Sequence, residues 1–335
     1  MNVNFHFNLK QFAVLFFIIA AWALSSGGLS PKLTFGAEIA GETIITQNSG
    51  GAQEDVYMAA PEDLNHSDYF SNSIAAFCIS DSSEVQNLYL LDAMNGRIKK
   101  FTTEGNFISI IKINSSDEVK LNELCGIYSA GGNVTAVHSQ NSILTLNSAG
   151  EKILKLNFPA GFECRKILKM NEKTITAYDY DNSIIARFEI TAGSPELKKL
   201  AEYEDVLFPW LISNERFLSC SLISPDSLFV YGRSFSARVK NEAYIKLKTN
   251  EAISQFKIIG SDAASNIYLR YCTGIIENIA VISPDLRLIE TIVFEAKHIA
   301  NRANLLYDEC VGRDGSIYAA YHEKNKLIIK KLIKK

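Results

Sequence analysis

The sequence predicts an all-β chain: a six-bladed β-propeller of four-stranded antiparallel blades, preceded by an N-terminal signal segment. Three observations carry that expectation. Strand-and-turn units recur six times at intervals of about 40 to 50 residues, the spacing of propeller blades. Five of the six cysteines recur once per unit, each several residues ahead of the unit's most regular strand. An apolar run with a positive lead and a small-residue exit occupies the N-terminus.

The N-terminal element comes first. Lys10 precedes the run Phe12 to Leu24, which is followed by Ser25, Ser26, Gly27 and Gly28. A short positive region, an apolar stretch and small residues form a secretory signal. The run is shorter than the roughly 20 residues that span a bilayer, which favours cleavage over anchoring. Ala23-Leu24-Ser25 is one exit and Gly36-Ala37 another. Residues 1–37 are therefore read as a signal peptide, or an uncleaved signal anchor, with a short linker. Residues 38–335 are read as the propeller. The expected location is extracytoplasmic: periplasmic, secreted or on the cell surface. Membrane contact is expected only through that first segment, if it stays uncleaved.

The best repeat runs from Asn87 to Ile111. It reads as a strand over Leu88–Leu91, a turn over Asp92–Gly96, and a strand over Arg97–Phe101. A tight turn at Thr103–Asn106 and a strand over Phe107–Ile111 follow. Gly sits where positive φ is needed, and β-branched or aromatic residues fill the strands between. Weaker copies follow at Asn133–Leu156, Lys173–Ile190, Ser227–Leu247, Asn266–Phe294 and Gly315–Ile333. The segment Glu42–Gln47 has strand character and would supply the fourth strand of the last blade. Such closure removes an exposed sheet edge. Asn48 to Ser73 would then be a polar connection. Pro195–Phe217 breaks the rhythm; it either packs between the third and fourth blades or forms an exposed lip, with Trp210 as a docking residue in the latter case.

Cys78, Cys125, Cys164, Cys220 and Cys310 are expected on innermost strands, with Gly260 in the matching place of the fifth copy. Blades converge there and only small side chains fit, so Cys serves as a small buried hydrophobe. Thiols one blade apart are generally beyond the roughly 7 Å Cα separation a disulfide needs. Cys272 is offset from the set. No close Cys pair supports a metal site or thioredoxin-like chemistry.

At residues 89 to 108, YLLDAMNGRIKKFTTEGNFI, the sequence resembles the NHL-repeat family of six-bladed propellers, within the TolB-like superfold. Asp92, Asn95, Gly96, Arg97, Ile98, Phe101, Glu104 and Gly105 fit the family pattern. The resemblance spans residues of roughly 74 to 333 and implies a fold; it does not imply a function.

Stacking the copies puts Asp92, His138, Tyr178, Gly232, Tyr271 and Tyr321 at one mouth of the channel. Arg233, Arg270 and His322 stand beside them. Aromatic faces and arginines there would suit a sugar, peptide or carboxylate. Asp92 equally serves to tie its own turn. No GxSxG, HExxH or Gly-rich phosphate loop is present, and no catalytic residue, metal or cofactor is assigned. His298, in AKHIANR, reads as ordinary loop surface.

The leading expectation is thus a monomeric binding or scaffold module for a protein, peptide or carbohydrate. The alternative is a gluconolactonase-like or amidating-lyase-like propeller enzyme with a channel metal. The net charge of −3 gives no electrostatic basis for a nucleic-acid partner. The lysines of Lys324–Lys335 alternate with apolar residues and read as the solvated face of a terminal strand.

Overall fold

The computed structural model describes residues 39–48, 76–80, 85–113, 120–129, 135–236, 243–274, 276–295, 309–323 and 326–334. The signal segment, most of the connection after Asn48, and His298 lie outside the described residues. Among the described residues no helix is long and apolar enough to cross a membrane.

Six four-stranded sheets make up the structure, every strand antiparallel to its neighbour in the sheet. Blade 1 contains β2 (Ala76–Ile79), β3 (Asn87–Asp92), β4 (Arg97–Thr102) and β5 (Phe107–Lys112). Blade 2 contains β6 (Gly126–Ser129), β7 (Thr135–His138), β8 (Ser142–Leu146) and β9 (Lys152–Asn157). Blade 3 contains β10 (Lys166–Met170), β11 (Thr174–Asp179), β12 (Ile184–Glu189) and β13 (Lys198–Tyr203). Blade 4 contains β14 (Trp210–Leu211), β15 (Arg216–Ser224), β16 (Ser227–Ser234) and β17 (Tyr244–Lys248). Blade 5 contains β18 (Ile253–Ser261), β19 (Ile267–Thr273), β20 (Ile276–Ile282) and β21 (Leu288–Glu295). Blade 6 combines β22 (Glu309–Val311), β23 (Ile317–Glu323) and β24 (Lys326–Lys334) with β1 (Ile39–Asn48) from the start of the chain.

Burial explains the strand chemistry. A blade packs on both faces, so its middle strands are largely buried; all seven residues of β19 are, Arg270 included. Outer strands meet water, and β5 is largely exposed. Six apolar clusters fill the interfaces between adjacent blades. The cluster that joins blade 6 to blade 1 sets Ile45 of β1 among Phe77, Leu88, Tyr318 and Leu327. First- and second-strand contacts link each blade to the next around a closed ring. The segment Glu42–Gln47 lies within β1, which pairs antiparallel with β24.

The fourth copy sits one strand away from its expected place. Ser227 opens the third strand, β16, and the second strand is β15. The inner strand β14 has only two residues, which left little for the sequence pattern to show. Pro195–Phe217 carries β13 of blade 3 and β14 of blade 4; its Tyr203, Val206 and Leu211 pack between those two blades, as the first alternative expects, while Leu200 and Leu207 are exposed.

The cysteines divide in the same way. Cys78 and Cys310 lie on innermost strands, Cys125 directly precedes β6, and Cys164 lies two residues before β10. Cys220 lies instead on β15, a second strand, as Cys272 does on β19. All six are free. Burial pushes the Cys78 thiol up to about 12 and Cys125 up to about 11, so both stay protonated and behave as small apolar groups. A Cβ on Gly260 would come within 2.7 Å of Val311, which is why that inner position stays bare.

Candidate functional site

The second strands end at Asp92, His138, Asp179, Ser224, Thr273 and Glu323. Asp92 and His138 therefore occupy equivalent places, as the stacked copies require. Tyr178 stands one residue short of that place, and Tyr271 and Tyr321 two short. Gly232 and Arg233 lie on β16, a third strand. A shift of one residue sends a side chain to the opposite face, so Tyr178 does not share the face of Asp92 and His138.

Each has its own surroundings. Asp92 is fully buried; its carboxylate accepts from Arg97 Nε at 2.7 Å and Asn95 Nδ2 at 3.0 Å. It closes its own turn. Blade 3 repeats the device, with Asp179 accepting from Asn182 Nδ2 at 2.8 Å. His138 is buried with Nδ1 3.6 Å from Cys125 Sγ and 3.2 Å from the Ser139 carbonyl. A Cβ on Gly126 would run into its imidazole ring. Burial pushes that imidazole down to about 4, so it is neutral at physiological pH.

Arg233 lies over the Tyr203 ring at 5.0 Å and the Tyr231 ring at 5.7 Å. Tyr271 is buried in the core between blades 4 and 5. Tyr321 and His322 pair through β23 with Ile328 and Leu327, and their side chains lie outside the described residues. Tyr178 lines, and Arg270 reaches through its ion pair with Glu309, a further constellation.

That constellation is a cavity of about 50 Å³ lined by Lys166, Tyr178, Tyr180, Phe208, Lys257 and Glu309, together with Pro209, Ile258 and Ile259. Lys166 opens β10, Lys257 lies on β18 and Glu309 opens β22, all innermost strands. Phe208 and Pro209 lead into β14. The walls thus come from blades 3, 4, 5 and 6, at the channel end where the innermost strands begin. Sequence periodicity cannot show such a meeting, because these residues are far apart in the chain and inner strands carry no turn signature.

Packing fixes the walls. Tyr178 donates its hydroxyl to the Val206 carbonyl at 2.9 Å. Tyr180 and Phe208 are in ring contact, and Phe208 meets Phe256 edge-on. Phe208 is held at φ 47° and Asp205 at φ 57°, left-handed conformations that cost non-glycine residues energy and that the surrounding packing sustains. Trp210 anchors the blade-4 entry by donating Nε1–H to Ser261 Oγ at 3.1 Å.

The charges form a chain across blades 5 and 6. Glu309, almost wholly buried, receives Lys257 Nζ at 2.9 Å and Arg270 at 2.9 Å. Arg270 also contacts Glu277 at 3.0 Å and donates to Gln255 Oε1 at 3.1 Å. Lys166 Nζ lies 4.9 Å over the Trp210 ring, within cation–π reach. Burial, with the charge of Lys257 as a second cause, pushes the Lys166 amine down to about 8. Two ammonium groups and the Glu309 carboxylate thus border one small hollow whose other walls are aromatic or aliphatic. Among the described residues no group of three or more His, Cys, Asp or Glu side chains could hold a metal ion.

No protein-family model matches the chain. No curated protein matches it either. Solved structures do. A crystal structure of a DUF4221-family member from Bacteroides vulgatus aligns at a TM-score of 0.53 and 13% identity, over 89% of this chain and 99% of that one. The Neurospora crassa Pan2 WD40 domain aligns at a TM-score of 0.46 and 9% identity, over 90% of this chain and 97% of that one. Kluyveromyces lactis Hsv2p aligns at 0.46 and 10%, over 75% and 72%. At these identities the likeness concerns fold alone: the chain is a six-bladed β-propeller with propellers as structural neighbours.

Proposed function

We propose that the chain is a binding module that docks a protein or peptide partner at the channel end of blades 3 to 6. One group of the partner enters the cavity beside Lys166. The observation that carries this reading is the convergence of four blades on one hollow walled by aromatic and aliphatic side chains, two ammonium groups and the Glu309 carboxylate. Its size favours a partner's side chain over a free substrate. Small-molecule sites usually measure about 300–1,000 Å³, whereas about 50 Å³ accommodates little more than a functional group.

The enzyme alternative draws less support from the residues expected to serve it. Asp92 is engaged with Arg97 and Asn95, and His138 is sealed behind Gly126. Kinship with NHL-type propellers is part of the same proposal; its support is the Asp–Asn turn found in blades 1 and 3. Export and a monomeric state also belong to it, the former resting on the N-terminal apolar run. Amino-terminal sequencing of the mature protein tests export directly: a start beyond residue 24 upholds it, and Met1 would count against cleavage.

Site-directed photocrosslinking tests the docking face. Tyr180 and Leu207 are exposed at the cavity end, whereas Ile153 is exposed on β9 of blade 2. A photoreactive side chain at 180 or 207 should yield a discrete partner adduct in extracts of the source cells. Adducts formed equally well from position 153, or only there, would contradict the reading.

A further inference from the structure

We infer that the group entering the cavity is a carboxylate, seated against the ammonium groups of Lys166 and Lys257 with its carbon chain along Tyr178 and Phe208. This rests on the reading of the cavity as the docking seat and names what that seat recognises.

Three observations lead there. Lys166 and Lys257 approach from different blades, so the fold brings two ammonium groups to one hollow whose lining holds a single carboxylate, Glu309, paired with Lys257. The rest of the lining is largely apolar or aromatic, which lowers the local dielectric and strengthens a charge-assisted hydrogen bond. Glu309, the cavity's own carboxylate, is bound by both Lys257 and Arg270 at 2.9 Å. That arrangement demonstrates on the cavity wall the chemistry offered to a second carboxylate. An incoming anion also offsets the repulsion that Lys166 feels from Lys257 beside the Lys257–Glu309 pair, an interaction a neutral group cannot supply.

Size and wall chemistry restrict the ligand further. A carboxylate with a short aliphatic stem fits a hollow of about 50 Å³, whereas a phosphate monoester is bulkier and would bring up to about two negative charges beside Glu309. An Asp or Glu side chain, a peptide C-terminus and a small free acid share this chemistry.

Tryptophan fluorescence provides the test. The chain has two tryptophans, so the full chain carrying Trp22→Phe reports from Trp210 alone, directly beneath Lys166. Butyrate should alter that signal saturably and bind at least about tenfold more tightly than butyramide, equivalent to about 1.4 kcal/mol. Lys166→Gln and Lys257→Gln should each remove most of the butyrate preference. Equal response to butyrate and butyramide would overturn the carboxylate assignment while leaving the cavity as a binding seat. No response to either would overturn both. A tripeptide acid that binds more tightly than butyrate, with its amide weaker, upholds the inference and identifies a peptide source. The same preference with butyrate tighter upholds it and identifies a small free acid.

Discussion

The Cα of Gly105 lies so close to the main-chain carbonyl of Ile44 that no side chain fits between them. Gly105 caps the turn between the third and fourth strands of blade 1, and Ile44 belongs to β1, the outer strand of blade 6. Gly150 holds the equivalent turn of blade 2 against the carbonyl of Lys112 on β5, the outer strand of blade 1. One contact thus joins blade 6 to blade 1 and blade 1 to blade 2. The N-terminal strand plays the same part in its interface that a sequential outer strand plays in the next.

Replacing Gly105 by Ala should cost about 3 kcal/mol, from the left-handed φ of 86° and the displaced carbonyl together. Gly161 has the same φ of 86° and open space around it. Gly161→Ala should therefore cost only the backbone share, about 1–2 kcal/mol. Urea unfolding of the two variants checks the difference; equal losses would mean that the Ile44 contact contributes nothing.

Removing the carboxylate at position 92 leaves Arg97 buried without its charge partner. Asp92→Ala should lower stability by about 3 kcal/mol while leaving crosslinking from position 180 unchanged. A stable variant that has lost partner capture would return Asp92 to a binding role.

Acid should destabilise the fold through His138. Its imidazole titrates near 4 when folded against 6.5 ordinarily, so the unfolded chain takes up the proton first. The contribution is complete above pH 6.5 and is lost as the pH falls towards 4. Between pH 7.5 and 5 it should amount to about 2 kcal/mol. His138→Leu should flatten the pH dependence of the unfolding midpoint over that window. An unchanged slope would place the acid sensitivity elsewhere.

The legible parts of the fold were those with turn chemistry. Asp92, Asn95, Gly96 and Gly105 mark blade 1 in sequence because each solves a local backbone problem. The spacing Asp179–Asn182 repeats Asp92–Asn95 and offered the correct register for blade 3; the prominence of Tyr178 obscured it by one residue. Blade 4 was displaced by a whole strand because β14 spans two residues and gives no periodicity. The cavity was illegible for a different reason. Lys166, Lys257 and Glu309 meet only because a closed ring brings the inner strands of blades 3, 5 and 6 to one channel end. No local pattern encodes that distance.

The charge state of Lys166 is the most direct measure of the account, since it reports both the desolvated hollow and the second lysine within it. Lysine labelled with carbon-13 at Cε, followed by NMR across pH, gives the titration midpoint of that one amine. The account predicts a midpoint of about 8, moving upward in Lys257→Gln as the repulsion is removed. A midpoint near the ordinary 10.5, unmoved by the Lys257 substitution, would contradict it.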